Sequence, residues 1–314
     1  MAAAKTGTGK TYLSSLMQTY YDRLFIDTAK HWLIHEQGAQ MRPVPQGEGK
    51  VVYFTRYTAP TIITAQLTEG DNPTEVGLSA STVSTTLSEF GSYSKISKLL
   101  KLSSVDRRMQ GAVEIHGQNA GESRDQLVRD KGLALSNTDQ LAASSASLTD
   151  VGITDTLSAA EVRKAVRTLK VNKALRYKDG YFLGKTGPYN SYDLMGDSTW
   201  ENAKVYSDVG DLYKGELGRL HGVRFVETTN QKETANGGTS NADIMHTFVH
   251  GKNAFGVTDL EGDGKKVYVK TPGAHSTDNP VDRFYTVGWA MTASAVALVS
   301  DWIIEIKSGA TDQS

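Results

Sequence analysis

The segment AKTGTGKT, from Ala4 to Thr11, comes closest to a chemical motif in this 314-residue chain. It differs by one residue from the phosphate-binding loop, because Ala4 stands where the first glycine of that loop belongs. Such a loop needs a buried strand before it to fix the backbone amides around the phosphates, and the three residues before Ala4 encode none. We therefore favour a terminal arm, and a nucleotide-dependent enzyme stays an alternative only if Lys10 contacts phosphate.

The acidic turn DLEGDGKK, from Asp259 to Lys266, resembles the opening of a calcium-binding loop. The bidentate glutamate that closes such a loop would fall at position 270, which is Lys270. The dipeptide Asp263-Gly264 is typical of a tight hairpin turn. The sequence therefore favours a hairpin here over a calcium site.

Two histidine pairs have the spacing of metal ligands on a helix, His31 with His35 and His246 with His250. The first pair lacks the glutamate that follows directly in zinc proteases, and the second lies in strand-like sequence. Structural histidines are therefore favoured. Neither a Gly-x-Ser-x-Gly segment nor a cysteine nucleophile is present, so we predict no catalytic, cofactor-binding or metal-ligating residue.

The composition restricts the class of protein only loosely. Lysine and arginine total 34 against 35 aspartates and glutamates, so overall basicity does not indicate a nucleic-acid-binding protein. The absence of cysteine excludes disulfides and fits a protein made in a reducing cytoplasm. The longest apolar run, Trp289 to Val299, is short and interrupted by Thr292 and Ser294, so we expect a soluble chain without a membrane span.

The elements that would position any functional residue include an unusual extended segment, Gly47 to Leu100. Its pattern predicts two long strands joined by a turn-rich tip, rich in Ser and Thr and with almost no apolar face. Strands of this kind cannot bury enough surface to be stable as an isolated hairpin. We therefore expect something outside the subunit to hold this arm.

Three segments show helical patterning. Apolar residues recur at helical spacing from Tyr12 to Leu33, and this helix could pack on its own subunit or on a neighbour. A second pattern runs from Val105 to Leu135, although its four glycines each cost up to about 1 kcal/mol in a helix interior. A third helix begins after Ser158, which is predicted to form a capping box with Glu161.

The third helix carries a basic face and is followed by more basic residues. Charge runs usually only solvate a surface, so we favour a solvated face over one that contacts DNA or an acidic neighbour. The basic residues are Arg163, Lys164, Arg167, Lys170, Lys173, Arg176 and Lys178.

Alternation of apolar and polar residues predicts strands in the second half of the chain. Two short runs, Tyr181 to Leu183 and Gly222 to Glu227, combine with the third helix into an α/β unit. Five more runs follow between Asp243 and Lys307, namely HTFVHG, AFGVTDL, KKVYVKT, FYTVGWAM and DWIIEIK.

Four blocks of sequence, in this order, add a resemblance to a known family. They are GKVVYFTRYTAPTIITAQLTEGDNPTEVGLSASTVSTTLSEFGSYSKIS, LSAAEVRKAVRTLKVNKA, GELGRLHGVRFVET and KTPGAHSTDNPVDRFYTVGWAMT. Together they resemble tailed-bacteriophage major capsid proteins of the coliphage N-four-like family, the first block being similar to that family's extended loop. The resemblance covers the chain from about Tyr20 to Lys307, and its specificity lies in the order of the blocks.

The resemblance implies the Hong Kong 97 type of capsid fold, which is α+β. In the spine helix of that fold, the small residues Gly117, Ala120 and Gly121 would permit close approach of a partner, and the N-terminal arm would lie against a neighbouring subunit. The implied division is an N-terminal arm at 1–46, an extended β loop at 47–98, a peripheral domain with a long spine helix at 99–150 and 243–314, and an axial domain at 151–242.

The function implied is that of a major capsid protein, not an enzyme. It would self-assemble into hexamers and pentamers of an icosahedral phage head that encloses double-stranded DNA, held by non-specific contact and without a cofactor. Scaffold, portal and decoration or cement proteins are the expected partners, and the protein would be assembled in the host cytoplasm and reside in the virion capsid, with no membrane contact. The alternatives are an encapsulin-like compartment shell protein and a β-rich tail or adhesin protein.

Intersubunit contacts are expected on the extended loop and near the region where it would land on a neighbour. This expectation rests on exposure and on the resemblance. The residues are Arg56, Tyr57, Glu69, Asn72 and Glu75 on the loop, and Asp278, Asn279 and Arg283 near the landing region.

Overall fold

The computed structural model describes residues 10–58, 60, 62–64, 66–67, 69–70, 72–73, 75–99, 108–135, 138–198, 200, 216–261, 266–270 and 283–311. Within these residues the fold is α+β, as the resemblance implied. The helices are α1 (Lys10–Lys30), α2 (Arg108–Val128), α3 (Ala159–Val171) and α4 (Pro188–Met195). The strands are β1 (Gln40–Met41), β2 (Val51–Thr58), β3 (Ser79–Thr86), β4 (Ser88–Ser97), β5 (Thr138–Leu141), β6 (Phe182–Thr186), β7 (Glu216–Leu220), β8 (Val223–Glu227), β9 (Lys232–Thr234), β10 (Ile244–His250), β11 (Phe255–Asp259), β12 (Lys266–Lys270), β13 (Phe284–Ala297) and β14 (Ile303–Ser308).

The first sheet is built around the long strand β13. Its strand order is β1-β11-β13-β12, and β4 pairs with the opposite edge of β13. Helices α1 and α2 cover this sheet and bury Phe25 and Val113 against Val287 and Trp289. The indole Nε1 of Trp289 donates a hydrogen bond to Asn119 Oδ1 at 3.0 Å, which links β13 to α2.

Glycines bring α1 into backbone contact with α2. A β-carbon at Gly121 would lie 2.6 Å from the carbonyl oxygen of Ala29, and one at Gly117 would lie 3.0 Å from that of Phe25. The partner that approaches the small residues of α2 is therefore α1 of the same chain. The arm packs on its own subunit here, whereas the resemblance had favoured a neighbour.

The second sheet has the order β5-β14-β10-β6-β8-β7, and β9 pairs with β10. Helix α3 packs on it through an apolar stripe that includes Val162 and Leu169, which meet Phe225 and Ile304 in the core. The five strands predicted between Asp243 and Lys307 are all present, as β10 to β14.

Helix α3 begins where the sequence predicts, but the predicted capping box is absent. The side chain of Ser158 makes no capping hydrogen bond. Instead, Asp197 Oδ2 accepts a hydrogen bond from the backbone N–H of Ala159 at 2.9 Å, and Glu161 accepts one from Gln140 Nε2 at 2.6 Å. The carboxylate that caps the helix therefore comes from Asp197, which is distant in sequence, so local spacing could not identify it.

None of the helices that the structure describes is long and apolar enough to cross a bilayer.

Candidate assembly surfaces

The extended segment forms a hairpin whose base is held by its own subunit. Strands β2 and β3 pair from Val51 with Thr86 to Thr58 with Ser79. On one side of β2, Val52 and Phe54 are only 5% and 3% exposed, because they pack with Val44, Leu87 and their neighbours. The expectation of almost no apolar face is therefore wrong at the base, where alternate residues of β2 turn inward.

The returning half of the segment divides at Leu87. Its first part is β3 of the hairpin, whereas its second part, β4, runs antiparallel to β13 from Ser88 with Ala293 to Ser97 with Phe284. The backbone N–H of Leu87 donates to the carbonyl oxygen of Lys50 at 2.9 Å. The hairpin is thus joined directly to the first sheet.

The tip of the hairpin, residues 60–78, is exposed in its described residues. Four large aliphatic side chains there are more than half exposed, namely Ile62 at 78%, Ile63 at 61%, Leu67 at 69% and Leu78 at 76%. The residues predicted on the tip, Glu69, Asn72 and Glu75, are exposed as well. An exposed apolar and acidic tip of this kind is typical of a contact surface.

Two other predicted contact residues lie on β2. The guanidinium carbon of Arg56 lies 5.0 Å from the ring centroid of Trp302 in the same chain. The indole Nε1 of Trp302 donates to the carbonyl oxygen of Asn172 at 3.0 Å, so this stack connects the hairpin to the end of α3. Tyr57 is 71% exposed.

The predicted landing region is described only at Arg283. Arg283 is exposed, and its carbonyl oxygen accepts a hydrogen bond from the backbone N–H of Lys98 at 2.7 Å. Asp278 and Asn279 lie outside the described residues. Contact of these eight predicted residues with a neighbouring subunit stays a prediction.

The basic face of α3 lines an open recess of about 450 Å³. Lys164 is paired with Glu161 at 3.8 Å, but Arg163, Arg167 and Lys170 form no ion pair with any described residue. Val171 adds one apolar side chain that is 73% exposed, whereas Val166 is 4% exposed and packs into the core of the second sheet. Its full lining is Arg163, Val166, Arg167, Lys170, Val171 and His221.

A buried polar junction, which the sequence did not reveal, joins the loop after α1 to α2 and the second sheet. Asp125 on α2 accepts hydrogen bonds from the backbone N–H groups of Ile34 and His35, at 2.9 and 2.6 Å. Its second oxygen lies 2.7 Å from His35 Nδ1 and 3.2 Å from the amide nitrogen of Asn230. One carboxylate thus fixes the path of the loop.

Lys185 on β6 completes this junction. Its ammonium nitrogen donates to the carbonyl oxygen of His35 and lies 4.7 Å from the ring centroid of Phe255. The side chain is fully buried, and desolvation lowers its pKa to about 7, although the nearby charges of Asp125 and Glu36 act in the opposite direction.

Further groups around Lys185 carry charge or can titrate. Arg124 makes a two-point ion pair with Glu36, at 2.8 and 2.9 Å, and also contacts Asp259 at 3.3 Å. His250 lies 3.1 Å from the hydroxyl of Tyr177. Burial lowers the pKa of His250 well below its ordinary value, and burial raises the pKa of Tyr177.

The histidine and acidic motifs have separate structural partners. His246 contacts Glu305 at 2.7 Å, and together with Lys232 it holds the pKa of that carboxyl below its ordinary value despite burial. His31 stacks edge-on against Trp32, whereas His35 contacts Asp125. In the part of the chain that the structure describes, no three His, Asp or Glu side chains are grouped to hold a metal ion.

The phosphate-loop and calcium-loop patterns are only partly described. Helix α1 begins at Lys10, and residues 4–9 lie outside the described residues. Asp259, the first residue of the calcium-like turn, contacts Arg124, and residues 262–265 of the turn are not described. Asp259 therefore has a structural role as a partner of Arg124, and the described residues of the turn do not form an ion site.

The fold is similar to that of known shell proteins. The chain matches the capsid of Ralstonia phage GP4 with a TM-score of 0.70 and 14% identity, over 90% of this chain and 89% of that one. It matches the capsid asymmetric unit of cyanophage Pam1 with a TM-score of 0.64 and 15% identity, over 90% and 93%. It also matches a virus-like particle from Pyrococcus furiosus with a TM-score of 0.54 and 8% identity, over 92% and 99%.

These likenesses show the Hong Kong 97 type of capsid fold at low sequence identity. Neither a protein-family model nor a curated protein sequence matches the chain. The particular coliphage N-four-like family stays an expectation from the sequence blocks.

Proposed function

We propose that this chain is the major capsid protein of a tailed phage. In this role, copies of the chain form the hexamers and pentamers of an icosahedral head that encloses double-stranded DNA. The observation that carries the proposal is the likeness of fold to the Ralstonia phage capsid over nearly the full length of both chains. The exposed hairpin tip supports it, because such a surface needs a partner.

The mechanism of such a protein is geometric. Each subunit presents the same patches around a ring, and these heterologous contacts close because the ring closes. Many modest contacts made at once give a stable shell. Scaffold, portal and decoration proteins, non-specific contact with DNA, assembly in the host cytoplasm and a final place in the virion belong to the same proposal.

A second candidate is a compartment shell protein of the encapsulin type. The likeness to the Pyrococcus virus-like particle over 99% of that chain favours it, but the TM-score of 0.54 is lower than the 0.70 for the phage capsid. The two candidate shells differ in what they would enclose. A phage head holds nuclease-protected DNA, whereas a compartment shell holds protein cargo.

The test is electron microscopy of the purified protein in negative stain, expressed with and without neighbouring phage genes. We expect closed polyhedral shells or capsomer rings. A protein that stays monomeric in every condition would contradict the proposal. Nucleotide binding that is lost in Lys10→Ala would then favour the enzyme alternative.

A further inference from the structure

We propose that the basic recess on α3 binds the phosphate backbone of double-stranded DNA. Three cationic side chains of α3 and His221 line this recess, and none of its six lining residues is acidic. The inference rests on the proposed function, in which the shell encloses DNA. It specifies which surface of the subunit would contact that DNA.

The cations of the recess are not neutralised inside the subunit. Arg163, Arg167 and Lys170 are exposed, and none of them forms an ion pair with a described residue. The one acidic residue of α3, Glu161, is only 8% exposed and is paired with Lys164. The positive charge of the recess is therefore available to a ligand.

The spacing of these cations is unfavourable for the free helix. Arg163 and Arg167 are four residues apart, and Lys170 follows three residues later, so like charges are neighbours on one face. A helix face that is only hydrated usually mixes acids and bases in such pairs. The sequence alone favoured a solvated face, but a bound polyanion would relieve this repulsion.

The length of the cationic stripe suits a nucleic-acid strand. From Arg163 to Lys170 the helix rises by about 10 Å, at about 1.5 Å per residue. One strand of a DNA duplex places about three phosphates along the same length of its axis. Each of the three cations can therefore take one phosphate, and a guanidinium group can bind it through two parallel hydrogen bonds.

His221 enters the lining from an unusual backbone position. It lies in the two-residue turn between β7 and β8, where His221 and Gly222 have φ values of 49° and 89°. Asparagine followed by glycine is the pair that such a turn favours. A histidine at this position instead adds an imidazole N–H donor to the recess. This departure from the favoured turn residue is the second observation that points to a ligand.

The recess suits a polyanion better than a peptide. Val171 is its one exposed apolar side chain, because Val166 is 4% exposed and belongs to the core. A peptide site needs an apolar centre, whereas a phosphate backbone needs only positive charge and hydrogen-bond donors. The formal net charge of the whole chain is −1, so we expect the contact to be local and strongest at low salt.

The first test is a salt titration of duplex DNA binding by the full chain, followed by fluorescence anisotropy of a labelled duplex of mixed sequence. In R163Q/R167Q/K170Q the slope of log affinity against log salt should be less negative by about 2.7, since each phosphate contact contributes about 0.9. This equals about a fortyfold smaller loss of affinity between about 50 and 200 mM salt.

The matched control is R23Q/K131Q/K252Q, which removes the same charge at three exposed positions outside the recess and should keep the slope. The variant R163K/R167K/K170R keeps every charge of the recess and should keep most of the slope. The glutamine variant should not lower the free energy of unfolding, because it removes like-charge neighbours. Equal slopes in the recess variant and the control would overturn the inference.

Competitors identify the chemistry of the occupant. Inorganic polyphosphate should displace the labelled duplex from the recess more effectively than polyglutamate of equal charge. The opposite order would show that the recess takes an acidic protein segment, and the inference would be wrong.

The recess must also face the inside of the shell. Because the chain contains no cysteine and Val171 is 73% exposed, Val171→Cys places a single thiol beside the cations. A maleimide on a polymer too large to enter a closed shell should label this thiol in free subunits but not in closed shells. Equal labelling in both states would put the recess outside and contradict the inference.

The outcomes separate this inference from the proposed function. If the wild-type protein forms neither shells nor rings, the proposed function fails, and the salt titration still decides whether the recess binds phosphate. If the wild type assembles but the recess variant binds DNA as the control does, only the inference is wrong. Loss of assembly in the recess variant with unchanged DNA binding would assign the recess to a contact between subunits.

Discussion

Lys185 is a fully buried amine that is tied to three parts of the chain. It donates to the loop after α1, faces Asp125 on α2 and extends from β6 of the second sheet. A buried ammonium group is stable only when partners compensate its lost hydration. The lowered pKa of Lys185 indicates that its partners compensate only in part.

We predict that this lysine makes stability depend on pH. The pKa of Lys185 falls from 10.5 in the unfolded chain to about 7 in the fold, so between these values the unfolded chain binds more protons. The free energy of unfolding should therefore rise with pH, by up to about 1.4 kcal/mol per unit between about pH 7 and 9. Denaturant titrations at several pH values measure this slope.

The comparison variant is Lys185→Met, which should lose that slope, and Lys252→Met serves as the control because Lys252 is exposed. Burial lowers the pKa values of His35 and His250, so these residues reduce the free energy of unfolding only as the pH falls below their ordinary pKa of 6.5. The slope between about pH 7 and 9 is therefore assigned to Lys185. An equal slope in the wild type and in Lys185→Met would mean that Lys185 stays charged in the fold.

The residues of this junction could not be predicted from sequence. His35 and Asp125 are 90 positions apart, and Lys185 is 150 positions from the carbonyl group that it binds. Sequence patterns detect neighbours on one helix or strand, whereas these contacts depend on how the helices and sheets pack together. The histidine pair His31 and His35 did suggest structural histidines, and His35 has such a role.

At the scale of elements, α2 is a helix whose glycines have different surroundings. Gly121 touches the backbone of α1, whereas no atom lies within 4 Å of a β-carbon placed at Gly111. Gly121 therefore allows α1 to pack closely on α2, whereas Gly111 has only the entropic cost that glycine brings to a helix.

We predict opposite effects for the same substitution at these two sites. Gly111→Ala should raise the free energy of unfolding by about 0.5 to 1 kcal/mol, because alanine favours the helix. Gly121→Ala should lower it by about 1 to 3 kcal/mol, because the new methyl group would push α1 away.

Thermal or denaturant unfolding of both variants under one set of conditions gives the measurement. A stabilising effect of Gly121→Ala would contradict the close contact between α1 and α2.

The bounds of α2 could be predicted from the helical spacing of its apolar residues. The pattern from Val105 to Leu135 corresponds to α2 followed by a short π-helical turn, Arg129–Leu133. What the pattern could not show was the partner of each face. The α1 helix was equally compatible with a neighbour and with its own subunit, since an apolar stripe does not specify what covers it.

At the scale of the whole molecule, the hairpin separates into a held base and an exposed tip. The base buries Phe54 against the body, whereas the strand pairing ends at Thr58 and Ser79 and the described residues between them are exposed. Folding and assembly should therefore depend on different parts of the same segment.

We predict that replacing residues 59–78 with Asn-Gly leaves the fold intact but prevents assembly. The pair of Thr58 and Ser79 can be closed by a two-residue turn of this type. The free energy of unfolding should change by less than about 1 kcal/mol. Sedimentation should show no shells or rings.

The contrasting variant is Phe54→Ala at the base, which should cost about 3 kcal/mol of stability because Phe54 is buried. Normal shells from the shortened chain would show that the tip plays no part in assembly.

The pairing of β4 with β13 also determines how the molecule would respond to a mechanical pull. The hairpin leads through Leu87 into β4, whose ten residues are antiparallel to β13. Tension applied along β4 would load its ladder of hydrogen bonds with β13 in shear, so that the bonds resist together rather than opening one after another. If copies of the chain form a shell under internal pressure, β4 would transmit tension from the hairpin to the first sheet.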